Sequence, residues 1–111
     1  MLATAPLRSD DMTRQPARQR QLSHLRDIPN IGPATAADLQ LIGIDRPSDL
    51  LDCDPYELYT RLEAATGTHQ DPCVLDVFIS AVRFMNGAPA RPWWKYTAER
   101  KNMLVDKKLR D

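Results

Sequence analysis

IPNIGPATAADL, residues 28–39, decides how the chain is read. It sets a tight Pro-Asn-Ile-Gly-Pro turn between an apolar segment and an Ala/Leu pattern of helical spacing. Upstream, Leu22, Leu25 and Ile28 recur at i, i+3, i+6 behind the polar run ARQRQ. That spacing predicts a helix from near Pro16, ending at Asp27 or Ile28 because a proline turns the residue before it away from helical angles. Downstream, Pro33 suits a first helical position, where no amide bond is forfeited and the fixed backbone angle fits. Ala36, Leu39 and Ile42 then form an inner face, and Gly43 closes the helix.

Working outward, the connector RPSDLL offers Ser48 as the cap of one helical turn. Asp54-Pro55-Tyr56-Glu57 predicts a clearer start, with an acid at the N-cap, proline after it and a glutamate three residues on. Leu58, Leu62 and Ala65 share a face before Gly67 ends that helix. Asp71-Pro72 repeats the start ahead of CVLDVFISAVRFMN, residues 73–86. Asp76, Ser80 and Arg83 form its single polar stripe, so length and this stripe make it the central buried helix despite its β-branched residues. APARP reads as extended, and WWKYTAERKNMLVDKKLR as a further helix or an extended tail. Short loops between helices and no long alternating run predict an all-α bundle of about five helices.

With 111 residues and 42% hydrophobic content, one domain with tails is expected. The division is a flexible segment at 1–15, a helical domain at 16–88 and a basic, Trp-containing tail at 89–111. No export-like stretch and no long apolar run is present, so a soluble, cytoplasmic protein without membrane association is expected. Cys53 and Cys73 form neither a disulfide framework nor a zinc pattern, and are read as reduced, mostly buried thiols. The formal charge of zero conceals segregation. Residues 1–24 carry four Arg against two Asp, residues 25–88 four Arg against ten acids, and residues 89–111 seven Lys/Arg against three acids, giving +2, −6 and +4. An acidic body argues against strong unaided nucleic-acid binding by its own charge, which leaves local geometry and the basic ends.

Leu25, Ile28, Pro29, Asn30, Ile31, Gly32, Pro33, Ala36 and Leu39 together resemble the helix-hairpin-helix motif. In that motif a hydrophobic plug fills the turn, and free amides at the start of the second helix meet a phosphate. Asn30 stands where such hairpins usually carry a first glycine; asparagine enters left-handed conformations more readily than most residues. Alanine occupies position 34, often basic in DNA-binding hairpins. The order IPNIGPATAADLQLIGI, then DP..LY at Asp54, Pro55, Leu58 and Tyr59, then D.CVL at Asp71, Cys73, Val74 and Leu75, resembles the pathogenicity-locus family of short bacterial helix-hairpin-helix proteins, sometimes labelled mitomycin resistance proteins. The likeness runs from about Leu25 to Met85, and WWKY at 93–96 resembles the ending of some members. It implies a helical fold related to DNA-binding hairpins and SAM-like domains, and no settled activity. Residues 54–86, with the turn GTHQDP, read as a second, degenerate hairpin in which Asp71 would repel a phosphate.

Two readings of the hairpin stand side by side: phosphate contact through Asn30, Ile31, Gly32, Ala34 and Thr35, or a helix junction that buries Ile31. For the tail, Trp93, Trp94, Lys95, Arg100 and Lys101, with Tyr96, could stack bases and neutralise phosphates, or could cover an apolar patch and solvate the chain end. His69 and Cys73 have helical ligand spacing without further ligands, and read as a loop residue and a small buried residue. Asp45, Asp49, Asp52 and Asp54 read as loop and cap chemistry, or as an attraction for a basic partner. With no nucleophile, acid-base or metal constellation, the expectation is a non-enzymatic module without cofactor or small-molecule substrate. It would bind DNA backbone without reading sequence, or act as a protein-interaction adaptor.

Overall fold

A computed structural model describes residues 22–110, with side chains through Lys107. The expected segment at 1–15 and the expected helix start at Pro16 lie outside these residues. Among the described residues there are four α-helices and three 3₁₀ turns, and no strand: a turn at Leu25–Asp27, α1 at Pro33–Leu41, a turn at Pro47–Leu50, α2 at Pro55–Thr66, α3 at Pro72–Met85, a turn at Trp93–Tyr96 and α4 at Thr97–Arg110.

The boundaries follow from local chemistry. All of α1, α2 and α3 have proline at their first position. Asp54 caps α2 by accepting from the Tyr56 amide at 3.0 Å, and Asp71 caps α3 by accepting from Cys73 at 2.9 Å. The bond from the Cys73 amide, and then one from the Cys73 side chain, hold the Asp71 carboxyl below its ordinary range. Glu57 does not complete the reciprocal bond of a capping box. The end of α1 is a Schellman motif: Ile44 donates to the Leu39 carbonyl at 2.9 Å and Gly43 to Gln40 at 3.1 Å. Gly43 adopts φ +94°, and the Arg61 guanidinium lies against it while bonding the Ile42 carbonyl.

Some expectations are corrected. Where the first helix was expected, residues 22–24 are not helical and only Leu25–Asp27 makes a single 3₁₀ turn. The Asp27 carboxylate accepts from the His24 amide at 3.2 Å, the bond of a capping box that sets the start of the turn at Leu25, and Pro29 prevents any extension. Ser48 lies inside the second turn, whose start is held by Asp49 accepting from the amides of Asp45 and Arg46. Ala65 is exposed, and Tyr59 occupies the inner face instead. Cys73 is exposed rather than buried, while Cys53 is half-buried and donates to the Asp49 carbonyl at 3.1 Å.

The core gathers Leu25, Ile28, Ile31, Leu39, Leu50, Leu58 and Leu62 around α3, whose Leu75, Phe78, Ile79, Val82 and Met85 are all buried. Tyr96 belongs to the same cluster, with Met103 and Leu104 packed against it. The segment set apart by its charge therefore closes the core. It does so over the polar stripe of α3. Asp76 is fully buried and accepts from Thr97 Oγ1 at 2.7 Å and from Arg100 Nε at 2.8 Å, with the Arg100 side chain only 15% exposed. Two helical turns further along that stripe, Arg83 pairs with Glu99 near the surface.

Two expected outcomes follow from magnitude and burial. Asp76→Ala leaves the half-buried Arg100 guanidinium, and the Thr97 hydroxyl beside it, without their partner, so urea denaturation should show a loss of about 3 kcal/mol. Glu99→Gln, at a pair with both side chains more than a third exposed, should cost no more than about 1 kcal/mol. Tyr59 donates its hydroxyl to the Gln70 carbonyl at 2.6 Å. Burial first, then the neighbouring Glu63, pushes its hydroxyl from 10 up to about 12. The folded state thus holds this proton more tightly than the unfolded chain. Its stabilising contribution is complete below pH 10 and is lost as pH rises to about 12. Thermal melts from pH 9 upward should therefore decline less steeply in Tyr59→Phe than in the wild type.

Candidate nucleic-acid interface

Ile28, Pro29, Asn30 and Ile31 form the turn ahead of α1. The Ile31 amide donates to the Ile28 carbonyl at 3.1 Å, and Asn30 has φ +74°. Proline second and a left-handed residue third are the requirements of a type II turn. Ile31 plugs the turn from beneath and is buried. Gly32 is then the N-cap of α1, in extended backbone, with no side-chain bond closing the helix.

This sets α1 apart from α2 and α3. Each starts with a proline, but Asp54 and Asp71 fold a carboxylate over the starts of their own helices, whereas Gly32 leaves α1 open. A β-carbon placed on Gly32 would meet nothing within 4 Å. Ala36 makes the first intrahelical bond, to the Gly32 carbonyl at 2.9 Å. Among the described residues the amides of Gly32, Ala34 and Thr35 find no acceptor. Such a start offers unpaired donors and a partial positive charge.

The two groups of residues singled out in the sequence meet here. Asn30 Nδ2 donates to the Arg91 carbonyl at 2.7 Å and reaches Ser80 Oγ at 3.4 Å. The 90–92 strap is thereby docked beside the turn. Pro29, Asn30, Ala90, Arg91, Pro92 and Trp94 line a shallow hollow of about 400 Å³. Trp94 is 58% exposed and stands edge-to-face on half-buried Trp93, with centroids 5.7 Å apart and planes at 84°. Lys95 and Lys101 are exposed on the same segment of chain. Arg100, expected to face phosphate, is instead committed to Asp76, whose hydrogen bond raises its already high pKa. Arg91, not singled out in the sequence, is exposed and lines the hollow. No sequence signal marks it, because only the fold brings it beside a residue 61 positions away.

A larger hollow, about 690 Å³, lies between the first turn and α1. Asp27 and Asp45 line it with His24 and Arg26, and carboxylates on its wall disfavour an anionic ligand. The remaining titratable groups offer little chemistry. His69 is exposed and bonded to Glu63. A bond to Asp71 raises the Cys73 thiol above its ordinary value, and burial raises that of Cys53, the opposite of an activated thiolate. Among the described residues no group of three or more His, Cys, Asp or Glu could hold a metal ion, and no helix is long and apolar enough to cross a membrane. Asp45, Asp49, Asp52 and Asp54 serve mainly turns and caps. Asp52 adopts φ +60° and donates its amide to Asn86 Oδ1 at 3.2 Å.

Residues 18–102 match the family described as Cdd1, pathogenicity locus, and the chain belongs to that family. It is 49% identical over 83 residues to the mitomycin resistance protein McrB of Streptomyces lavendulae, an alignment covering 75% of this chain and 79% of that protein. No solved structure matches it.

Asn30 contributes both a conformation and a side chain, and substitutions separate the two. Asn30→Gly keeps the positive φ and loses only the side-chain bonds, for an expected cost of about 1 kcal/mol. Asn30→Ala adds the strain of a left-handed alanine and should lose about 2 kcal/mol. Chemical denaturation of both variants checks the order.

Proposed function

We propose that this chain is a non-enzymatic helix-hairpin-helix module that contacts the sugar-phosphate backbone of DNA without reading sequence. The phosphate lies at the open start of α1, on the amides of Gly32, Ala34 and Thr35. Arg91, Lys95 and Lys101 supply charge that the acidic body lacks. The observation that carries this reading is the contrast among the helix starts: two are closed by their own aspartates, and the third is left open by a glycine whose missing side chain no internal contact requires. An approaching anion gains from that vacancy. Contacts confined to backbone phosphates position a protein without selecting bases.

A second reading, a protein-interaction adaptor, draws on a different observation, the exposed indole of Trp94. A buried aromatic anchor is a frequent centre of a protein interface. Salt separates the two. Phosphate contacts by a few cations should weaken on the order of tenfold between about 50 and 200 mM salt, whereas an aromatic anchor should barely respond.

Thr35→Glu is the decisive variant. At the third position of α1 a glutamate interacts favourably with the helix dipole and can return a bond to the Gly32 amide, so stability should hold or rise. The same carboxylate occupies the phosphate position. Fluorescence anisotropy with labelled DNA should show salt-sensitive binding by the wild type and none by Thr35→Glu, with an unchanged or higher melting temperature. Absence of wild-type binding at low salt, or retention in Thr35→Glu, would overturn the proposal. Truncation at Ala88 is a poorer test, because it strands buried Asp76.

A further inference from the structure

Trp94 sits unusually for a solvent-exposed aromatic residue. Its backbone lies within the 3₁₀ turn at Trp93–Tyr96 that follows Pro92, its ring packs T-shaped with that of Trp93, and the strap leading to it is tied to the hairpin by the bond from Asn30 to Arg91. These restraints hold the indole at the wall of the hollow while the side chain remains 58% exposed. Ordering an aromatic platform before binding lowers the entropic cost of using it. Beside it, Arg91 adds a cation, and Pro29 and Pro92 add rigid apolar wall.

The hollow and the open helix start are neighbours. Asn30 lines the first and is two residues from Gly32, the N-cap of the second. Two residues of chain span about 7 Å at most. A ligand that suits both must carry an anion and a flat, polarisable ring close together, which describes a nucleotide. In a duplex both faces of each internal base are already stacked, so a protruding indole finds a partner only where bases are unpaired.

Resting on the function proposed above, we infer that the hollow between the Pro29-Asn30 turn and Trp94 takes an unpaired base of a single-stranded nucleic acid. The base stacks on the indole while its phosphate lies on the amides of α1. Single strands are then the preferred form of the partner.

The full chain is titrated into a labelled thymidine homopolymer of about 16 nucleotides, which does not pair with itself, and into a blunt duplex of the same length. Anisotropy and tryptophan emission are recorded together. The wild type should bind the single strand on the order of tenfold more tightly than the duplex, with quenched emission. Trp94→Ala should lose about that factor on the single strand alone, and most of the quenching. Trp94→Phe should retain much of the affinity, since a smaller ring still stacks. Thermal melts confirm that these variants at an exposed position remain folded. Equal affinity for both forms, unaffected by Trp94→Ala yet abolished by Thr35→Glu, would overturn this inference and leave the phosphate reading intact. No binding to either form would overturn the phosphate reading itself, and this inference with it.

Discussion

A carboxylate on the buried side of the central helix governs the architecture. Burying an unpaired charge costs several kcal/mol even after relaxation, so Asp76 can remain inside α3 only if other parts of the chain bring donors to it. Thr97 and Arg100 do so, each serving a different oxygen. That requirement places the first turn of α4 on α3, seats Tyr96 in the core and draws residues 88–92 back across the molecule as a strap. The position of Trp94 beside the Pro29-Asn30 turn is a downstream result. Apolar contact alone is non-directional and would allow α4 to slide along α3; two hydrogen bonds of fixed geometry do not.

The sequence makes some of this legible. The Asp-Pro starts of α2 and α3, the glycine exits after α1 and α2, and the burial of Ile31 under its turn are chemistry local to a few residues. A short window of sequence contains everything that determines them. Over residues 22–28 a single turn stands where a helix was expected, for the same local reason: Leu22, Leu25 and Ile28 have helical spacing, but the Asp27 carboxylate on the His24 amide starts the turn at Leu25 and Pro29 ends it. Ala65 was misplaced because helical spacing fixes which residues share a face while only packing decides which part of that face is covered, and Cys73 because residue type alone set its expected burial. The polar stripe of α3 was plain in spacing, yet its partners lie 21 and 24 residues onward.

The candidate site divides along the same line. A left-handed Asn30 and a helix start at Pro33 can be read from the turn itself. The use of Asn30 as a tether cannot, because its acceptor on Arg91 is distant in sequence. A glycine at position 30 would give the turn its backbone angle and nothing more. Asparagine gives the angle and a donor, and so ties the turn to the strap that carries the tryptophans. The asparagine side chain is thus the feature that joins the two halves of the candidate interface. Arg100, by contrast, drew attention as a free cation and is spent inside the fold.

The pairing of Asp76 has a consequence for the order in which the molecule can be made. Synthesis proceeds from the N-terminus, and domains tend to acquire structure as they emerge. Here α3 leaves the ribosome with its carboxylate while Thr97 and Arg100 are still inside the exit tunnel, so its stripe must stay wet while the apolar residues beside it already favour collapse. The earlier helices can associate loosely in that interval, but they cannot seal. Folding commits only when α4 arrives, and until then a nascent chain exposes the surface that makes partly folded proteins prone to associate.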